Sequence, residues 1–303
     1  MVDTSDEWII KRTGISERRI LDKDTPSYTI GAEAAKNALL DSKLEASDID
    51  LIIVTTSTPD YLTPSTACII QKEIGAVNSA AFDLNAACTG FVYGITVAQQ
   101  FIKTGYYKHI MIVSCEGLSK VTDWTNRGTC VLFGDGAGAV ILGQVEEGYG
   151  VLSTYIAADG AMGDNITIPC CSVNEADIGR RAAENKMTLW QEGQEVFKFA
   201  VKAMPAATEK LLEASGISID EIKYIFPHQA NIRIIDSAAK RLNIPNERVY
   251  KTIHKYGNIS SASIPVALDE AYRENLLKKG DNLVFVGFGG GLTWGAALFK
   301  WNR

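Results

Sequence analysis

The sequence predicts an α/β protein in which a mostly parallel sheet is covered by helices on both faces. Three observations carry this. Short runs rich in Val and Ile alternate with segments of helical period. The runs are continuously apolar, as strands buried on both faces are. The order of elements in the first half recurs in the second, and 303 residues suffice for two domains or one duplicated unit.

In order, residues 30–40 are helical in period, Leu51-Ile52-Ile53-Val54 is a buried-type strand, and residues 66–74 are helical again. Residues 80–84 form a strand that breaks into the turn Asn85-Ala86-Ala87-Cys88-Thr89-Gly90. Residues 91–103 then form a helix ended by Gly105, followed by a strand at 109–113. The second half repeats the pattern: a helix at 200–214 closed by Gly216, a strand at 224–226, a helix at 232–242, a helix opened by residues 258–263 and running to 275, and a strand at 282–286. Residues 133–142 resemble residues 288–298, so the simplest division is a duplication into 1–150, carrying Cys88, and 151–303, carrying His228 and Asn258. Residues 167–186 are polar and without period, as a long loop or lid is.

The formal charge of −6 argues against nucleic acid as a partner, while leaving room for a local basic patch. No apolar run approaches the roughly 20 residues of a membrane span. The acidic start, Val2-Asp3-Thr4-Ser5-Asp6-Glu7, lacks the pattern of a signal peptide, and a cytoplasmic protein is expected. The six cysteines show no metal-binding spacing and read as reduced thiols, the adjacent Cys170 and Cys171 as loop packing.

Cys88 is the most informative residue. A thiol where a strand turns into a helix gains from unpaired N–H groups and the positive end of the helix dipole, both of which favour thiolate. Alone it reads equally as a packed core cysteine. His228, in Phe226-Pro227-His228-Gln229-Ala230-Asn231, follows a strand and precedes a helix, where α/β folds present functional side chains. Asn258, in Tyr256-Gly257-Asn258, lies just ahead of a helix, and each of the two is alone explicable as a turn or capping residue. Three such residues at equivalent turns of a duplicated chain are a stronger signal.

The Cys88 turn, the Pro227-to-Asn231 stretch, Gly257-Asn258 and Gly287-Phe288-Gly289-Gly290-Gly291 together resemble the thiolase-fold condensing enzymes, and most closely the β-ketoacyl-acyl-carrier-protein synthase III family. The resemblance runs from Thr4 to the C-terminus. It implies a thiolase-like fold of two halves with mixed sheets in αβαβα layers, a homodimer, and no tightly bound cofactor, the CoA thioester being substrate. It implies that Cys88 takes an acyl group from acyl-CoA, and that malonyl-acyl-carrier protein then loses CO₂ and attacks it, with His228 and Asn258 as hydrogen-bond donors to the enolate. The oxyanion hole for acyl transfer would be the backbone N–H groups of Cys88 and Gly290, glycine letting the backbone approach closely. Asn258, a neutral amide, favours decarboxylation over deprotonation. The alternatives are a relative of specialised, polyketide-type metabolism and a scaffold that only binds acyl thioesters.

By the same resemblance Thr4, Trp8, Arg12, Arg127 and Asn231 bind CoA, Trp8 stacking on adenine and the arginines holding nucleotide phosphate or base. Gln229, Arg233, Lys240 and Arg241 would dock the acidic carrier protein, and Thr63 would form the floor of the acyl pocket across the dimer interface, with room for starters longer than acetyl. Relatives carry a strand of the central sheet ahead of the segment matching Val2-Asp3-Thr4, without which ladder groups are left unpaired.

Overall fold

The structure, a computed structural model, describes residues 2–170 and 188–303. Most of the segment read as a lid, and Cys171, lie outside the described residues. Sheet one consists of β1 (Leu51–Thr55), β2 (Ala80–Leu84), β3 (Ile110–Gly117) and β4 (Asp135–Leu142) in the order β2-β1-β3-β4. β1, β2 and β3 are parallel, and β4 runs antiparallel to β3. After β5 (Gly150–Ala158) comes a two-stranded ribbon of β6 (Ile166–Thr167) and β7 (Trp190–Gln191). Sheet two joins β5 to β8 (Ile222–Pro227), β9 (Asn282–Gly289) and β10 (Thr293–Lys300) in the order β5-β10-β9-β8. Here too one pair is parallel (β8 with β9), and the last strand returns antiparallel to its neighbour.

The helices are α1 (Asp6–Thr13), α2 (Ser27–Ser42), α3 (Thr66–Ile74), α4 (Gly90–Lys103), α5 (Arg127–Cys130), α6 (Gly193–Ser215), α7 (Ile232–Arg241), α8 (Ile253–Tyr256) and α9 (Ser263–Arg273). α2 and α3 cover the outer face of sheet one, α6 and α7 that of sheet two, and α4 and α9 lie between the sheets, giving five layers. The central layer is apolar towards both sheets. Phe91 and Ile95 of α4 and Ile264 and Leu268 of α9 pack on Leu51, Ile53 and Ile112 of sheet one and on Phe226 and Phe285 of sheet two. Such helices cannot be half-polar, and α4 reads accordingly, with Gly, Phe, Val, Ile and Ala on its buried positions.

The elements differ from the sequence reading where polar residues are buried or apolar ones are sparse. β3 runs on to Gly117 because Ser114, Cys115 and Glu116 stay in the ladder with β4 and are buried. α6 begins at Gly193, in a polar stretch anchored by Val196. The helix expected from 258 to 275 is a 3₁₀ turn at Ser260–Ala262 followed by α9. β5, with its mixed pattern, gave no clear signal.

β4 of sheet one and β10 of sheet two hold the same place, each the antiparallel neighbour of its sheet's longest parallel strand. β5 covers the far side of β10, whereas among the described residues nothing pairs with the far side of β4. A cleft of about 1100 Å³ follows that edge, lined by every residue from 135 to 145 and walled by α2 and α9.

Phe226, fully buried between the rings of Phe285 and Tyr250, ties sheet two to the central layer. Phe226→Ala is expected to cost about 3–5 kcal/mol in denaturant unfolding. Val77→Ala, at a site 77% exposed, should stay within about 0.5 kcal/mol.

Candidate active site

The site begins where β2 ends. The Asn85 carboxamide oxygen accepts the N–H of Ala87 at 3.1 Å, Ala87 turns left-handed (φ 46°), and Cys88 sits in a single 3₁₀ turn, Ala87–Thr89, that runs into α4. A non-glycine residue held in that region costs about 1–3 kcal/mol and persists only when its surroundings enforce it. Here the end of β9 enforces it. A Cβ on Gly289 would lie 2.6 Å from the Cys88 nitrogen and 3.1 Å from its Cβ, so only glycine allows the strand to sit there. The close approach expected at Gly290 therefore belongs to Gly289, since a Cβ on Gly290 would meet Ala87 at an ordinary 3.5 Å.

The second half makes the same turn. The Asn258 carboxamide oxygen accepts the N–H of Ser260 at 2.9 Å, Ser260 is left-handed (φ 47°), and the 3₁₀ turn Ser260–Ala262 runs into α9. Asn258 thus corresponds to Asn85, and Ser261 to Cys88. Asn258 is not a cap of α9. Its backbone pairs with the first half instead, through Asn258 N–H to Leu132 O (2.9 Å) and Gly134 N–H to Asn258 O (3.0 Å). With its oxygen engaged by Ser260, the Asn258 amide retains its NH₂ group as a donor.

His228 follows the last residue of β8, and its N–H continues the ladder to Val286 O at 2.8 Å. Its ring stands edge-on to Phe288, and its Nδ1 is buried without a hydrogen-bond partner. Cys88, His228, Asn258, Phe288, Gly289 and Gly290 line one cavity of about 870 Å³, which also reaches Trp8, Arg12, Arg127, Asn231 and Arg233. His228 and Asn258 are buried, Cys88 is half-buried with a face on the cavity, and the three arginines are exposed at the other end. The structure thus joins the three side chains singled out from the sequence at the inner end of one pocket.

Burial pushes the Cys88 thiol up to about 12; the Ser260 hydroxyl and the N–H of Cys88 itself pull it down, and Glu116 pushes it further up once ionised. The thiolate expected from the helix end is therefore not the resting form, because desolvation outweighs the pull of the turn. Burial likewise drives His228 down to about 3, opposed only by the backbone of Ser260. The resting site holds a neutral thiol beside a neutral imidazole.

Residues 82–160 match the family model of 3-oxoacyl-[acyl-carrier-protein] synthase III, and residues 212–301 match the model of its C-terminal part. The chain is 50% identical over 303 residues to the β-ketoacyl-[acyl-carrier-protein] synthase III of Caldanaerobacter subterraneus subsp. tengcongensis, covering 100% of this chain and 92% of that relative. It belongs to the β-ketoacyl-acyl-carrier-protein synthase III family. The protein of that name from Clostridium acetobutylicum is 51% identical over 304 residues, covering 100% of this chain and 92% of that protein. The crystal structure of the Aquifex aeolicus VF5 synthase III superposes with a TM-score of 0.92 at 43% identity, covering 99% of this chain and 92% of that one. The fold is accordingly the thiolase-like one of synthase III enzymes.

The other residues that the synthase III resemblance singled out are placed unevenly. Trp8 lies with the guanidinium carbons of Arg127 and Arg12 at 4.8 and 5.7 Å from its ring centroid. Arg127 also donates to the carbonyl of Asp3, next to the exposed Thr4. Asn231 caps α7, accepting the N–H of Arg233 at 2.9 Å. Lys240 and Arg241 are exposed in the last turn of α7, away from the cavity lining. Gln229 is a correction: only 1% exposed, it donates to Pro227 O and Tyr250 O and accepts from the N–H groups of Thr252 and Ile253. Its amide braces the 250–253 loop and faces no docking partner. Thr63 is exposed and outside the cavity of its own chain. The sequence reading missed Ser260, which donates its N–H to the Asn258 carboxamide and lines the cavity with all three key residues; its only signal is its place after Asn258.

With the thiol at about 12, the thiolate fraction climbs tenfold per pH unit below that value. Carbamidomethylation of Cys88, followed by peptide mass spectrometry, should accelerate about 10-fold per pH unit between about pH 7 and 10. A plateau near neutrality would contradict the burial argument.

Proposed function

We propose that the chain catalyses the decarboxylative Claisen condensation of an acyl-CoA starter with malonyl-acyl-carrier protein. The products are β-ketoacyl-acyl-carrier protein, CoA and CO₂, in fatty acid synthesis. The convergence of Cys88, His228 and Asn258, from both halves of the chain, on one pocket carries this reading, together with half-identity to synthase III enzymes over the whole chain.

The Cys88 sulfur attacks the thioester carbonyl, its proton passes to the departing CoA sulfur as the carbonyl C–S bond to CoA breaks, and CoA leaves as the thiol. Because thiol and imidazole start neutral, this exchange creates no net charge in the pocket. Backbone N–H groups of Cys88 and Gly290 face the oxyanion of the tetrahedral intermediate. Malonyl-acyl-carrier protein then enters, its C–C bond to the carboxylate breaks, and the electron pair passes into an enolate that accepts hydrogen bonds from His228 and the Asn258 NH₂. The carbanion attacks the acyl-Cys88 carbonyl, and the expelled sulfur regains a proton from solvent. A neutral imidazole retains an N–H, and His228 would lose that state only as pH falls towards about 3.

At the outer end, Trp8 offers a stacking face for the CoA adenine and Arg12 and Arg127 bind its phosphates, with Thr4 and Asn231 at the rim. Arg233, Lys240 and Arg241 form the basic face of α7 that meets the acidic carrier protein. We read residues 1–150 and 151–303 as the two duplicated halves, and the enzyme as a cytoplasmic homodimer. Exposed Tyr61 and Leu62 beside Thr63 support an interface there, through which Thr63 reaches the partner's acyl pocket and leaves space for longer starters.

Intact-protein mass spectrometry with a panel of acyl-CoAs should show one acyl group added to the protein and none added to Cys88→Ala. Asn258→Ala should still be acylated while condensing about 100-fold more slowly. An unlabelled protein, or equal loss of both steps in Asn258→Ala, would overturn the assignment. If turnover falls steeply beyond four-carbon starters, the reading of Thr63 fails.

A further inference from the structure

Glu116, on β3, is wholly buried, and among the described residues none of its hydrogen-bond partners is a cation. One carboxyl oxygen accepts from Ser57 N–H (3.1 Å) and Thr58 Oγ1 (2.9 Å) in the loop after β1. The other lies 2.7 Å from Ser261 Oγ, in the turn that follows Asn258. Ser261 Oγ is also 3.0 Å from the carbonyl of Thr55, and one hydroxyl proton cannot serve both. Protonation satisfies both: the Glu116 O–H donates to Ser261 and Ser261 donates to Thr55, while Ser57 N–H, Ser57 Oγ (3.2 Å), Thr58 Oγ1 and Ser261 N–H (3.4 Å) remain as donors to the two carboxyl oxygens. Burial raises its pKa, in keeping with that form.

Ser261 is the counterpart of Cys88, so the second half's nucleophile position has become an anchor. We propose that Glu116 is a positioning residue for condensation: as a neutral acid it clamps Ser261 and the left-handed Ser260 before it, whose N–H holds the Asn258 carboxamide with its NH₂ free for the enolate. The inference rests on the role proposed for Asn258. It assigns Glu116 to the second chemical step and not to the first, since acylation of Cys88 makes no use of that NH₂ group.

The test compares Glu116→Ala, Glu116→Gln and Ser261→Ala in the full-length protein, with acetyl-CoA acylation of Cys88 and condensation with malonyl-acyl-carrier protein measured separately. Glu116→Ala should be acylated within about 3-fold of the unmutated rate and condense about 10- to 100-fold more slowly. Glu116→Gln, whose amide both donates and accepts, should restore condensation to within about 3-fold. If Glu116→Ala does not fold, Ser261→Ala carries the same expectation of selective loss, by about 10-fold. Equal loss of both steps, unchanged condensation in the alanine variants, or a glutamine variant as slow as alanine would each overturn the proposal. Crystal structures of the Glu116 variants read the orientation of the Asn258 carboxamide directly. A rotated carboxamide with no change in condensation would therefore count against the role of Asn258, and an unrotated one against the clamp.

Discussion

Two left-handed residues, Ala87 and Ser260, are the constraint on which the site depends. Each sits at the head of a central helix, and each is pinned by an asparagine oxygen two residues back. Because α4 and α9 share the layer between the sheets, the two turns meet at the same end of the molecule. Conformations that are individually unfavourable are held because each is packed against the opposite half: Cys88 against the end of β9, and Asn258 against the chain between α5 and β4. The two turns share this geometry and differ in chemistry. One presents a thiol to the pocket, and the other turns its equivalent side chain inward to Glu116 and gives the cavity Asn258 and Ser260.

The pocket's electrostatics follow from its dryness. Burial holds thiol and imidazole neutral, so in the proposed reaction charge would appear only in the transient oxyanion and enolate. Charge is confined to the outer end, where Arg12, Arg127 and Arg233 stand exposed around Trp8. An acyl thioester has the same polarity, an apolar chain and carbonyl at one end and phosphates at the other.

Much of this was legible in the sequence because local signals and tertiary roles agreed. β1 is continuously apolar and fully buried, residues 66–74 are helical as their spacing indicates, and Cys88 and His228 each stand at a strand end. The recurring order of elements and the likeness of residues 133–142 to residues 288–298 read as a duplication. What escaped the reading depends on contacts distant in sequence. Gln229 sits in a motif beside the site, yet its amide is consumed by a loop some twenty residues on. The benefit of the helix end to Cys88 is real, but local sequence does not reveal how much protein surrounds the sulfur. Nor does it show that Gly289, rather than Gly290, is the residue without room for a side chain.

The uncovered side of β4 has a consequence for how this sheet behaves in solution. Its ladder lies in a cleft lined by residues of α2 on one side and α9 on the other. Among the described residues that edge is therefore walled by two helices and is not presented as an open, flat border to a second sheet.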